Sequence, residues 1–360
     1  MNTAVQLSWG LVIATYRREK VLPMCIKFAV EQTRRPIEVV VVDASDYWET
    51  TRDTVMTEIA SQHPDIRWVY VAAEQRSLTV QRNQAIRLAT ADIAFLFDDD
   101  SLMYPDCAEE VMRVYEADPE QIVKGVQANP HELPPSDPRV SDSKHYTAES
   151  KGLYSRYGFL SAIYRFLWKN LLLMDSGINF IPYDGRYPTH VLPSAVQQLH
   201  IAPAILLAGF RMTYRREAVL KEPFEPLLRY YAAWEDVDAS YRVSRQGALL
   251  TALDADVHHF YSASGRINRL QVAALSSLNQ AIFLRKYSSN LRRDKRAFYQ
   301  LMARRVIAEA LKDTLSCRWK FPQLRGILVA LKHAPSVFFL PLEELNDWYP
   351  SLQKQIIEMT

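Results

Sequence analysis

The stretch "FLFDDDS", residues 95–101, sets three consecutive carboxylates directly behind a run of large apolar side chains. A short continuous apolar run bounded by polar residues reads as a buried strand, so the acids fall at its carboxyl end. Similar runs are expected to form strands at Leu11 to Ala14, Val39 to Val42, Trp68 to Val71 and Ile122 to Val126, with this one spanning Ile93 to Phe97. Between them, Val21 to Gln32 and Leu78 to Ala89 carry apolar residues at helical spacing. Such alternation implies right-handed βαβ crossovers and an α/β fold with a mostly parallel sheet. Ligands of such sheets bind beyond the carboxyl ends of the strands, which is where Asp43, Asp98, Asp99 and Asp100 lie.

One Asp after a strand is often an N-cap for the following helix. Three adjacent carboxylates repel one another and hold their charge comfortably only in water or beside a cation. A hard divalent ion, Mg²⁺ or Mn²⁺, answers that need and usually takes its remaining ligands from water and substrate phosphates.

Composition narrows the classes. The chain has 360 residues, 48% hydrophobic, enough for one large or two smaller folded domains. A net charge of +2 is too small to argue for nucleic acid as the main partner. Three scattered cysteines, Cys25, Cys107 and Cys317, fit neither a disulfide framework nor a thiolate zinc site, and suit a reducing cytoplasm. The start, "MNTAVQLSWGLVIATYRREK", lacks a basic end followed by a long apolar stretch, so neither a signal peptide nor a membrane span is expected. Only 10 glycines and no G-x-G-x-x-G disfavour a dinucleotide enzyme. A phosphohydrolase with its nucleophilic Asp on the first strand is disfavoured because that strand ends "IATYRR".

Further along, "NPHELPPSDP" at 129–138 reads as a loop. The segment Lys151 to His200, rich in aromatics from Tyr154 to Trp168, reads as an inserted acceptor-side or packing segment. The β-type "GFRMTYRREAV" precedes a charged helix starting near "WEDVDASYRVSRQG" and ending at Gly247, and "LLTALDADVHHF" reads as another strand. Beyond residue 265 the pattern is helical and basic, with 13 Lys or Arg against 3 acids in residues 285–333. An anionic membrane surface is therefore a candidate peripheral contact, solvated helix faces being the alternative.

These segments, in this order over residues 8–290, resemble the family 2 glycosyltransferases with the GT-A nucleotide-sugar fold: a Rossmann-like, mostly parallel central sheet flanked by helices. "LVIATYRRE" resembles the family's first strand and turn, "EQTRRPIEVVVVDAS" its second strand with the base-reading Asp, and "QRNQAIRLATADIAFLFDDD" the segment ending in the metal-binding aspartates. "GFRMTYRREAV" resembles the strand before the acceptor site and "WEDVDASYRVSRQG" the acidic catalytic helix. The resemblance implies a transferase domain over 1–265, with a nucleotide-binding half to about 128 and an acceptor-side half from about 129, then a helical C-terminal region over 266–360.

It further implies that Asp43 contacts the uracil or other base, Asp98 lies near the ribose, Asp100 holds the metal and Asp99 supports that geometry. Thr15 joins the donor-binding set, as does Arg82, approaching base or phosphates, with a solvated helix Arg as the other reading. Asp236 becomes the base that takes the acceptor proton and Glu235 the residue that orients the acceptor, helix capping being the alternative. Of the adjacent pair His258 and His259, which must face opposite sides of a strand, either could complete the metal site and His258 is favoured, a structural strand histidine being the alternative. Trp234 is a candidate for stacking on a sugar or for the core, and Arg266 a candidate phosphate contact. The chain departs from the pattern at Ala44, where a second acid is usual, and at Gln84 and Ala85, where Gly is common, which bears on the nucleotide base.

The activity so implied is inverting, metal-dependent transfer from a nucleotide-diphosphate sugar, UDP first, to a saccharide or lipid-linked glycan, serving cell-surface polysaccharide or glycolipid synthesis at the cytoplasmic face of a membrane. The non-enzyme alternative is a sugar-binding or scaffold protein on the same fold.

Overall fold

Val39 to Val42 alternate between two separate cores, Val39 and Val41 in one and Val40 and Val42 in the other, so this strand is covered on both faces. That double burial is why four β-branched residues stand in a row. The strand, β2 (Glu38–Asp43), sits beside β1 (Trp9–Thr15) and β3 (Arg67–Ala72), and β1 sits beside β4 (Ile93–Phe97), all parallel in the order β3-β2-β1-β4. The computed structural model describes residues 6–135, 180–183, 185, 187–230, 232–260 and 267–359.

Three helices connect these strands: α1 (Leu22–Val30), α2 (Trp48–Glu58) and α3 (Leu78–Leu88). Helix α3 starts where the Ser77 hydroxyl accepts the Val80 N–H, an N-cap. Helix α2 escaped the sequence reading because it buries only Thr51 and Val55 and so carries little apolar stripe.

The sheet continues in the order β8-β6-β9-β5. Here β5 is Ser101–Met103, β6 Val123–Pro130, β8 Arg211–Arg215 and β9 Ala248–His259, while the short β7 (Ile201–Pro203) also pairs with β9. Pairing in this half is antiparallel except between β6 and β9. The loop expected from Asn129 begins later, because Asn129 and Pro130 still pair with Asp256 and Val257; residues 136–138 lie outside the described residues. Around this half lie α4 (Cys107–Glu116), α5 (Ser194–Gln197), α6 (Arg216–Lys221) and α7 (Glu235–Ser244), the last being the expected acidic helix.

The sheet belongs to one compact unit, Met1–His145 with Tyr187–Pro226 and Glu235–Gly265. A second unit, Tyr146–Arg186 with Leu227–Trp234 and Arg266–Thr360, holds α8 (Arg269–Tyr287), α9 (Leu291–Leu315), α10 (Pro322–Phe339) and α11 (Leu342–Glu358). Its central helix α8 is buried along most of its length and opens with a reciprocal capping box between Asn268 and Gln271. Helix α10 presses close to it at Gly326, where an added Cβ would collide with the Leu270 carbonyl oxygen. Among the described residues no helix is long and apolar enough to cross a membrane.

Candidate active site

The carboxyl ends of the parallel strands gather the expected donor-side residues. Thr15 and Asp43 are register partners at the ends of β1 and β2. Asp43 is buried; its carboxylate accepts the Ser45 N–H at 2.7 Å and the Tyr70 hydroxyl at 2.7 Å. Thr15 donates its hydroxyl to Asp99 at 2.6 Å, so Asp99 is turned towards β1. Burial, with the negative charges of Asp100 and Asp98, pushes the Asp99 carboxyl up to about 7 against the pull of Thr15 and Arg18.

Asp98 and Asp100 point elsewhere. Together with His259 they offer two carboxylate oxygens and one imidazole nitrogen, all within 4.8 Å of one another. His259 Nε2 lies 3.0 Å from Asp100 Oδ1. The expectation named His258, and the structure places that ring on the other side of the strand, its Nδ1 3.1 Å from the His131 carbonyl oxygen. Pairing explains the difference: β5 runs antiparallel to β9 with Ser101 opposite His259, and the Phe260 N–H donates to the Asp100 carbonyl at 2.8 Å. The residue beside Asp100 is thus fixed as His259, and alternation sends His258 away.

The second acidic group opens α7, where the helix N-terminus favours negative charge. Asp236 accepts the Gly209 N–H at 3.1 Å and the Val237 N–H at 2.8 Å. Burial raises the Asp236 carboxyl, with Arg82 opposing, and raises that of Glu235, where the charge of Asp236 adds to the effect. Between the two groups stands Arg82, fully enclosed: it donates to Asp98 at 2.8 Å, to Glu235 at 2.9 Å and to the Gly209 carbonyl at 3.2 Å. The solvated-helix reading of Arg82 therefore fails. Trp234, just before the helix, is half-buried with φ at 73°, a left-handed backbone that a bulky residue rarely adopts.

Several neighbours carried no signal in the sequence. Arg18 lies 3.6 Å from Asp99 and 3.7 Å from Asp100, giving the triple aspartate a counter-charge. The Phe210 ring stacks on His259 with centroids 4.6 Å apart, holding the imidazole plane. Gly209 has no room to spare, since an added Cβ would lie 3.3 Å from Arg82 and 3.4 Å from Glu235. Arg266 and the aromatic run from Tyr154 to Trp168 lie outside the described residues.

Two carboxylate oxygens and an imidazole nitrogen suit Mn²⁺ or a similar divalent ion.

Residues 11–172 match the model of the family described as "Glycosyl transferase family 2". No curated protein matches the chain. Among solved structures it is similar to GalNAc-T7, determined with UDP, GalNAc and Mn²⁺, at 13% identity and TM-score 0.54 over 94% of this chain and 59% of that one. It is also similar to the mannosyltransferase PcManGT from Pyrobaculum calidifontis in complex with GDP-Man and Mn²⁺, at 16% identity and TM-score 0.46 over 98% of this chain and 85% of that one. The sheet with its acidic carboxyl edge thus has the GT-A fold, and residues 11–172, a little under half of the chain, are similar to glycosyl transferase family 2.

Proposed function

We propose that this protein is a glycosyltransferase that moves a hexosyl group, with inversion and with Mn²⁺ or Mg²⁺, from a nucleotide-diphosphate sugar to a saccharide or lipid-linked glycan. The observation that carries the reading is Arg82, which joins Asp98 of the candidate metal group to Glu235 of the acid pair. A donor site and an acceptor site that must meet at one glycosidic carbon are then parts of one network centred on the buried Arg82.

In this reading Asp43 and Thr15 receive the nucleoside, UDP first, and Asp98, Asp100 and His259 hold the cation. The bound ion supplies neutralisation of the charge that develops on the leaving diphosphate. Asp236 takes the proton of the acceptor hydroxyl as the new bond forms, and Glu235, fixed by Arg82, orients that acceptor. No covalent intermediate is required. The free and mostly buried cysteines suit a cytoplasmic enzyme, and the basic helical unit suits work at the inner face of a membrane, where products would enter cell-surface polysaccharide or glycolipid.

Incubation with a panel of UDP- and GDP-sugars and Mn²⁺ tests this directly, slow donor hydrolysis being enough to identify the donor. Activity is expected to vanish with a chelator and return with added metal. A sugar-binding scaffold would bind donor and yield no product, which would sink the enzymatic reading.

A further inference from the structure

Residues 291–341 contain eleven Lys or Arg and three acids. All three acids are buried: Asp294 accepts from Ser288, Asp313 from the Gln323 and Leu324 N–H groups, and Glu309 lies 3.8 Å from Arg305. The charge that α9 and α10 show to solvent is therefore entirely positive, a sharper imbalance than the sequence count conveys.

Apolar side chains are exposed among these cations. Along the outer face of α10, Arg325, Leu328, Lys332 and Phe339 follow one another at helical spacing and are all exposed, Leu328 by 50% and Phe339 by 73%. The Lys295 ammonium sits 3.7 Å over the Phe339 ring. Just before the helix, Trp319 is 68% exposed beside exposed Lys320. Apolar groups thus stand next to cations at both ends and in the middle of one helix, whose opposite side is pressed against α8 through Gly326. Next to the middle pair opens a cleft of about 420 Å³ lined by Leu270, Leu328, Val329 and Met359, with Arg325 and Lys332 completing its wall.

We propose that this face of α10 is a binding surface for anionic phospholipid, with Arg325 and Lys332 on a headgroup phosphate and the cleft between them receiving acyl chain. Charge complementarity selects an anionic partner. Exposed Trp, Phe and Leu select one with an apolar layer beneath its charges, since such residues settle at the boundary between headgroups and chains. Nucleic acid would satisfy the cations and leave a cleft of Leu, Val and Met side chains unused. The surface stands on its own geometry; its purpose, holding the enzyme beside lipid-linked acceptors, rests on the transferase reading above.

Flotation of the full chain with vesicles, without donor or metal, tests the surface independently of catalysis. Binding is expected to vesicles containing phosphatidylglycerol, little to phosphatidylcholine alone, with release as salt screens the charges. The pair Arg325→Gln and Lys332→Gln should weaken binding by about thirty-fold, roughly five-fold for each cation. Leu328→Asp should also weaken it at unchanged vesicle charge, whereas competition by inorganic phosphate as strong as that by vesicles would reduce the site to a simple anion site and overturn the lipid assignment. These positions are exposed, and unfolding midpoints equal to that of the parent establish that each variant is folded. Equal binding to both vesicle types, unaltered binding by the double variant, or capture of duplex DNA in place of vesicles would each overturn the proposal. A chain that transfers sugar but does not float would refute this inference alone, and one that floats but never consumes donor would refute the function alone.

Discussion

The two halves of the sheet position their chemistry by different means. In the parallel half, Thr15 and Asp43 end their strands and Asp98 follows one, so place along the chain is already place at the ligand edge. In the other half, His259 is set by the strand lying opposite, while Gly209 and the Glu235–Asp236 pair come from a loop and a helix start that meet Arg82 from far along the chain. Local sequence governs the first arrangement, and partners govern the second.

If that division is also a division of labour, damage should separate along it. The largest expected effect is at Asp236: Asp236→Asn keeps the shape and removes the proton acceptor, so turnover should fall by roughly 10²–10⁴-fold while nucleotide binding persists. Asp43→Ala should do the reverse and raise the donor KM. Calorimetry with the nucleotide alongside initial rates separates the two, and a variant of Asp236 keeping more than about a tenth of turnover would assign the base elsewhere.

Next in size is the histidine pair. His259→Ala should raise the Mn²⁺ concentration for half-maximal activity by about ten-fold or more, and His258→Ala should leave it near the parent value. Metal titration of both variants reads this out, and the opposite ranking would contradict the strand register.

Arg82 gives a smaller effect of definite sign. Burial holds the Glu235 and Asp236 carboxyls high, and the Arg82 charge pulls both down. Removing that charge should raise them further, moving the acidic limb of the pH–rate profile to higher pH by about one unit or more in Arg82→Met. Activity on that limb rises with pH because the base must be deprotonated. A limb that stays in place, or moves down, would separate Arg82 from the acids.

The smallest change is Gly209→Ala, whose Cβ would stand 3.3 Å from Arg82 and 3.4 Å from Glu235. A few-fold loss of kcat is expected, with the metal response intact, measurable in the same assays.

The same contrast explains what could be read from the sequence. Strand positions, the acidic edge and the acidic helix were legible because apolar runs, helical spacing and turn residues are local signals. The choice between His258 and His259 was not, since it depends on whether Ser101 or its neighbour lies opposite, which only the pairing decides. Arg82 looked like any helix arginine until two carboxylates from distant segments closed around it. Arg18 and Phe210 remained hidden for the same reason: each matters through a neighbour in space.

Strand β9 has a consequence for how the protein comes into being. Asp98 and Asp100 leave the ribosome early, and His259, their partner in the candidate metal group, emerges only after β6, β8 and α7. Contacts between such distant segments must overcome the entropy of closing a long loop, so they form late. A nascent chain can thus assemble the parallel edge that carries Thr15 and Asp43 well before Asp98 and Asp100 gain their imidazole partner. Under the proposed function, tight metal binding would mark a finished fold, acquired when the last strand of the sheet is threaded between its neighbours.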